Sequence, residues 1–171
     1  QPLKHILNSA GIINYPEYQF DMIRLGIGMY GIDTSGRNEL DLKPIAQLKS
    51  EISQIKKVDS GDSIGYSRKG RLDKQGIIGT IPIGYADGFP RLLGNGNGKV
   101  FINNNYAPVI GNVCMDMIMI DLSTIDVNEG DEVEIFGQNI SISEMADSCN
   151  TIPYEVLTNI SQRVKRIYIT D

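Results

Sequence analysis

The chain has 171 residues, 41% apolar and 22% charged, an ordinary globular composition with material for one domain and part of another. Its net charge of −5 has the wrong sign for a nucleic-acid face, and no apolar run approaches the roughly 20 residues of a membrane span. One histidine, two cysteines and no Cys-x-x-Cys spacing argue against a metal site or a disulfide framework. Cys114 sits in an apolar run and reads as a buried free thiol in a strand, which suits a reducing cytosol. There is no signal-peptide pattern, and a first residue Gln1 rather than Met leads us to expect a missing N-terminal segment.

Residues 1–31 read apart from the rest. Segment 5–11 looks like a strand running into a loop and a short helix. Segment 20–31 is apolar, with three glycines and one arginine inside it. An arginine there needs a partner or a surface position. At a strand end it can stand at the mouth of a (β/α)8 barrel, where the last loops commonly form a phosphate site. Glycine N–H groups approach anion oxygens with no Cβ in the way, and Ser9, Gly26 and Ile27 fit that role. Residues 32–43 are polar and read as a linker.

From Pro44 onward the pattern turns to β. Segment 44–58 alternates through Leu48, Ser50, Ile52 and Gln54 and is expected to be one long strand. Ile45, Leu48, Ile52 and Ile55 would also suit a helix face. A turn follows at 59–62. The β-branched run 76–83 reads as a buried strand lying between two Gly-Tyr pairs, Gly65-Tyr66 and Gly84-Tyr85. Each tyrosine stands beside a glycine that lets the backbone approach another object closely. That setting presents a phenol to a pocket, and it also describes an ordinary turn.

Turn clusters at 94–98 and 103–105 flank a strand at 99–102. Strands are expected over 106–113, over 115–122 with both faces covered, and over 132–136 after a turn at 129–131. Many short strands between Gly and Asn turns indicate a closed or partly open β-barrel. Ser141 and Glu144 resemble a capping box, opening a helix to about residue 149. Pro153 suits the first turn of another, to about residue 160. Segment 164–169 reads as a last strand.

Jointly, Gly65-Tyr66, then Ile83-Gly84-Tyr85-Ala86-Asp87-Gly88, then Gly111-Asn112-Val113-Cys114-Met115-Asp116 resemble the C-terminal domain of pyridoxal-phosphate-dependent alanine racemases. Asn8-Ser9 and Arg24-Leu25-Gly26-Ile27 upstream, and Tyr154-Glu155-Val156 downstream, extend the resemblance over nearly the whole chain. It implies a mainly β fold: residues 1–31 the end of a truncated (β/α)8 cofactor-binding barrel, 32–43 a linker, and 44–171 a C-terminal β-barrel domain. It also implies interconversion of L- and D-alanine for cell-wall peptidoglycan, in a cytoplasmic homodimer with shared active sites. Neither nucleic acid nor membrane is an expected partner.

The resemblance assigns roles residue by residue. Tyr66 matches the tyrosine base; a free phenol titrates near pH ~10 and needs activation to serve near neutrality. Arg68 could add positive potential there. Arg24 matches the residue facing the cofactor ring nitrogen, with His5 supporting it by a hydrogen bond. Ser9, Gly26, Ile27 and Tyr154 match the phosphate contacts, and Asn8 orients the loop. The Met115 N–H matches the donor to the substrate carboxylate, and Tyr85 lines the mouth of the site. Asp87 and Asp116 are expected to bond turns or join ion pairs. Leu25 departs from the proline often found after the family's arginine, which touches loop stiffness. Tyr66, Tyr85 and Met115 would serve the neighbouring subunit's pocket. No segment resembles the family's Schiff-base lysine motif, so this length of chain is expected to be inactive alone. Two other readings compete. One is a broader amino-acid racemase or a fold-related decarboxylase, for which Gly111-Asn112-Val113-Cys114 fits a Gly-x-x-Cys setting. The other is a non-catalytic β-barrel for dimerisation.

Overall fold

The computed structural model describes residues 1–37 and 40–169. Asn38 and Glu39 of the expected linker lie outside the described residues. The chain divides into two compact units, residues 1–46 and residue 47 onward.

In the first unit two extended segments run parallel. His5 and Met22 form a parallel bridge, the Asp21 N–H donates to the Lys4 carbonyl at 3.1 Å, and the Arg24 N–H to the Leu7 carbonyl at 2.9 Å. Helix α1 (Ser9–Asn14) lies in the connection. Asn8 caps it, its side chain accepting from the Gly11 N–H at 2.9 Å. The apolar run 20–31 forms no regular strand beyond the Met22 bridge and ends in a 3-10 turn, Ile27–Tyr30. Ile27 is buried there, whereas Phe20, Met22, Ile23 and Leu25 are exposed.

The second unit is a seven-stranded antiparallel sheet in the order β1-β7-β4-β5-β6-β3-β2. The strands are β1 (Leu48–Glu51), β2 (Gln54–Val58), β3 (Gly76–Ile81), β4 (Lys99–Ile102), β5 (Asn105–Ile110), β6 (Ile118–Asp121) and β7 (Glu132–Phe136). The two ends of this order, β1 and β2, are consecutive in the chain. The Ile52 N–H donates to the Asp131 carbonyl at 3.0 Å on the β7 side, and the Ser53 N–H to the Thr80 carbonyl at 2.9 Å on the β3 side. The sheet therefore wraps into a barrel through Ile52-Ser53. The expected single strand over 44–58 is corrected to two. The inward positions Leu48, Ser50 and Ile52 alternate up to the break, Gln54 beyond it is exposed, and the halves pair with opposite ends of the sheet. Inside sit Ile52, Ile81, Val100, Ile102, Val109, Ile118, Ile120, Val133 and Ile135, each almost fully buried.

Helix α2 (Ile142–Ser148) starts at the expected cap, the Ser141 hydroxyl accepting from the Glu144 N–H at 3.0 Å. Helix α3 (Pro153–Thr158) has Pro153 in its first turn. Segment 164–169 is not a strand. The Arg166 guanidinium instead donates to the carbonyls of Ile160, Ser161 and Val164 at 2.6–2.9 Å, which folds the chain back on itself. Cys114 is buried as expected but lies in the loop between β5 and β6, its thiol against the Asn112 carbonyl at 3.7 Å. Met115 and Met117 precede β6 and are exposed, so only the later part of 115–122 is covered on both faces.

Candidate active site

In the second unit the three motifs meet on one piece of chain, residues 111–116. The Tyr85 turn lies against its later part. The Tyr85 N–H donates to the Cys114 carbonyl at 3.1 Å and the Ala86 N–H to the Met115 carbonyl at 3.0 Å. Gly84 explains this approach. A Cβ there would stand 2.3 Å from the Met115 carbonyl oxygen and 2.4 Å from that of Cys114, so no side chain fits. The object that the glycine admits is main chain. Tyr85 is 43% exposed, with the Arg91 guanidinium 5.9 Å from its ring centre.

The Tyr66 turn lies against the earlier part. Its ends are pinned by reciprocal bonds between Ile64 and Gly70, and Asn112 reaches across to the Tyr66 carbonyl at 3.0 Å. The Tyr66 side chain is 72% exposed, which sets aside a packing role. Beside it opens a cleft of about 510 Å³, lined by Val58, Ile64, Tyr66, Cys114 and Met119 among others. Met115 is 52% exposed rather than a core methionine. Its carbonyl is used by Ala86, and among the described residues its N–H meets no partner.

Sequence reasoning did not find the group that ties the Tyr85 turn to the Met115 loop. Arg163 donates from Nε to Asp87 Oδ1 at 2.7 Å and from Nη2 to Asp116 Oδ1 at 2.5 Å. Asp87 Oδ2 in turn accepts from the Gly84 N–H at 2.8 Å. Bonds to Asp87 first, then to Asp116, push the already high pKa of Arg163 further up. The expectation that the two aspartates hold turns and ion pairs is met by one shared partner. Nothing in the local sequence signals it, because that partner is distant in the chain.

In the first unit the Ser9 hydroxyl oxygen is buried and accepts from the Gly26 and Gly28 N–H groups at 3.0 and 3.2 Å. This draws Ser9 against the Gly26–Gly28 turn and leaves the hydroxyl proton free to donate. Arg24 donates from Nη2 to the Ile6 carbonyl at 2.7 Å. Among the described residues this Arg24 bond goes to main chain, and His5 contributes its own backbone to the bridge with Met22. Tyr154 stands in the first turn of α3, 39% exposed.

Comparison with known proteins decides the family. The description "Alanine racemase, C-terminal domain" matches residues 45–168, and "Alanine racemase, N-terminal domain" matches residues 1–34. The chain belongs to the alanine racemase family. It is 46% identical to alanine racemase 1 of Clostridium acetobutylicum over 98% of its own length and 45% of that protein's. It is similar to the crystal structure of alanine racemase from Bartonella henselae with covalently bound pyridoxal phosphate, at TM-score 0.92 and 35% identity, covering 99% of this chain and 47% of that one. It is also similar to the alanine racemase from Bacillus anthracis with bound L-Ala-P, at TM-score 0.92 and 36% identity, covering 99% and 45%. The chain thus spans under half the length of the racemases it matches. The mainly β second unit is the alanine racemase C-terminal fold expected from its motifs. Among the described residues no helix is long and apolar enough to cross a membrane, and no group of metal-ligating side chains gathers.

Proposed function

We propose that this chain is the C-terminal part of an alanine racemase, comprising the end of the cofactor barrel (1–31), a linker (32–43) and the β-domain (44–171). The whole enzyme interconverts L- and D-alanine in the cytoplasm as a homodimer with shared sites. The observation that carries this is the joining of all three motifs on residues 111–116, which sets an exposed phenol and an unused Met115 N–H beside one another's turns. The parallel pairing of 4–7 with 21–24 around α1 supports the barrel remnant.

The residues present fit pyridoxal phosphate. The Ser9 hydroxyl proton and the Ile27 N–H, uncommitted among the described residues, are donors a phosphate takes, beside Gly26, whose own N–H goes to Ser9. Bound there, the cofactor supplies the electron sink that makes an amino-acid Cα proton removable. Ser9, Gly26 and Ile27 would hold its phosphate; Tyr154, in the second unit, keeps the phosphate role that its family match implies. Asn8 acts through the cap of α1, and His5 through the extended segment beside Arg24. Arg24 cannot give up its proton, so it donates to the ring nitrogen and disfavours a proton there, which suits quick return of the proton to Cα. Tyr66 takes or returns that proton on one face. Met115 binds the substrate carboxylate through its N–H, and Tyr85 narrows the approach. Tyr66, Tyr85 and Met115 serve the neighbouring subunit.

Cys114 bears on the decarboxylase reading. The residue lines the cleft beside Tyr66, but it is buried and its thiol donates to the Asn112 carbonyl. Incubating the complete enzyme with L-alanine separates the readings. Appearance of D-alanine is expected. Release of carbon dioxide without racemisation would favour the decarboxylase, and no turnover without cofactor absorbance would favour a dimerisation module.

A further inference from the structure

Within its own chain Tyr66 is 72% exposed, so what that chain contributes to the position of the phenol comes chiefly through the main chain. That main chain is in an unusual state. Gly65, Ser67 and Arg68 have φ of +73°, +60° and +52°, the left-handed region that residues other than glycine avoid. A turn of this kind persists only where its surroundings over-determine it. The Ile64–Gly70 bonds, at 2.8 and 3.1 Å, pin its ends. Among the described residues, the bond from outside the turn to the main chain of Tyr66 itself is the one from Asn112 Nδ2.

Asn112 is itself held at its other end. Its Oδ1 accepts from Asn95 Nδ2 at 3.1 Å, and the Asn95 N–H donates to the neighbouring Gly111 carbonyl at 2.7 Å. A carbonyl can only accept, so the Tyr66 oxygen dictates which end of the Asn112 amide faces it. Gly111 brings the two segments close enough for this contact. It has φ of +67°, and a Cβ there would meet the Ile64 carbonyl oxygen at 2.9 Å.

We propose that Asn112, braced by Asn95, is a positioning residue for Tyr66, fixing where the phenol stands through the Tyr66 carbonyl. This rests on the reading of Tyr66 as the proton-transferring group. Removing the donor leaves the phenol in place on average but spreads its positions, and misplacement of about 1 Å can cost roughly 100-fold in rate.

The test uses the complete enzyme with three variants. Asn112→Ala should lower kcat roughly 10-fold with KM changed less than about 2-fold. It should raise the Cα-deuterium isotope effect for the alanine enantiomer whose proton Tyr66 removes more than for the other. Asn95→Ala should move the same readouts in the same direction by less, and it keeps the test open if Asn112→Ala fails to fold. Tyr66→Phe is the control. If that control abolishes turnover while both asparagine variants leave kcat and the isotope effects within about 2-fold, the inference is overturned and the reading of Tyr66 stands. A lowered melting temperature with unshifted isotope effects makes Asn112 merely structural and also overturns it. If Tyr66→Phe retains turnover, the reading of Tyr66 itself fails.

Discussion

The Arg163 guanidinium donates from Nε to Asp87 Oδ1 at 2.7 Å, across 76 residues of sequence. Its second bond, to Asp116, makes it the strap between the Tyr85 turn and the Met115 loop. Arg163→Leu should therefore loosen the Met115 N–H, proposed above to bind the substrate carboxylate, more than the chemistry. We expect KM for alanine to rise roughly 3- to 10-fold with kcat within about 3-fold. The Arg163 side chain is about half exposed, so salt near 1 M should reproduce part of the effect in the unaltered enzyme. Steady-state kinetics at two ionic strengths check both.

Gly84 and Gly130 separate two reasons for a glycine. At Gly84 an added Cβ collides with two carbonyl oxygens of the 114–115 main chain, which cannot swing aside like a side chain. Gly84→Ala should cost about 2–4 kcal/mol of unfolding free energy and raise KM. Gly130 has φ of +92° but open space around it, so Gly130→Ala should cost only about 1 kcal/mol and leave kinetics unchanged. Denaturant titration of both variants tests the contrast.

Ser9→Ala removes the acceptor of the Gly26 and Gly28 N–H groups and the hydroxyl assigned to the phosphate. Cofactor affinity should fall roughly 10-fold, at about 1.4 kcal/mol per decade. Titrating the apoenzyme with pyridoxal phosphate and following its absorbance measures this. An unchanged affinity would remove Ser9 from the phosphate site.

Glu134 carries a pH signature. Burial pushes its carboxyl upward. The Asn139 and Ile140 N–H groups, the Asn139 side chain and the Gln138 main chain outweigh that and hold it below the usual carboxylate range. A lowered folded value means the stabilisation is fully present above the unfolded pKa. It is lost as pH falls through the folded one. Glu134→Gln should thus be less stable than the parent by about 1–2 kcal/mol at pH ~7. The gap should close as the pH falls through and below the usual carboxylate range near 4.5. Melting curves across pH 3–7 (a range of roughly four units) follow it.

Local signals carried much of the fold. Lys99–Ile102 was legible because Gly-Asn and Asn-Asn clusters bound it closely on both sides. Ser141 was legible as a cap because the Ser-to-Glu144 spacing is itself the bond. The break at Ile52-Ser53 was not, because no Gly or Pro marks it and the change is one of partners, from β7 to β3, although Gln54 already falls out of the alternation. The expected strand at 164–169 is not formed; the Arg166 guanidinium instead caps the Ile160, Ser161 and Val164 carbonyls, and composition does not register that. At the site, the Gly-Tyr pairs showed where phenols could be presented. The left-handed Ser67 and Arg68 left no sequence trace, since neither is a residue that marks such a turn. Arg163 and the bracing role of Asn112 arise from contacts made only once the barrel has closed.

The most direct measurement is racemisation of L- and D-alanine by the Tyr66→Phe form of the complete dimer, with cofactor absorbance recorded alongside. If the phenol hydroxyl carries the proton on one face of Cα as proposed, turnover should fall by roughly 10²- to 10⁴-fold in both directions while cofactor binding persists. Turnover within a few-fold of the parent in both directions, with cofactor bound, would contradict that role.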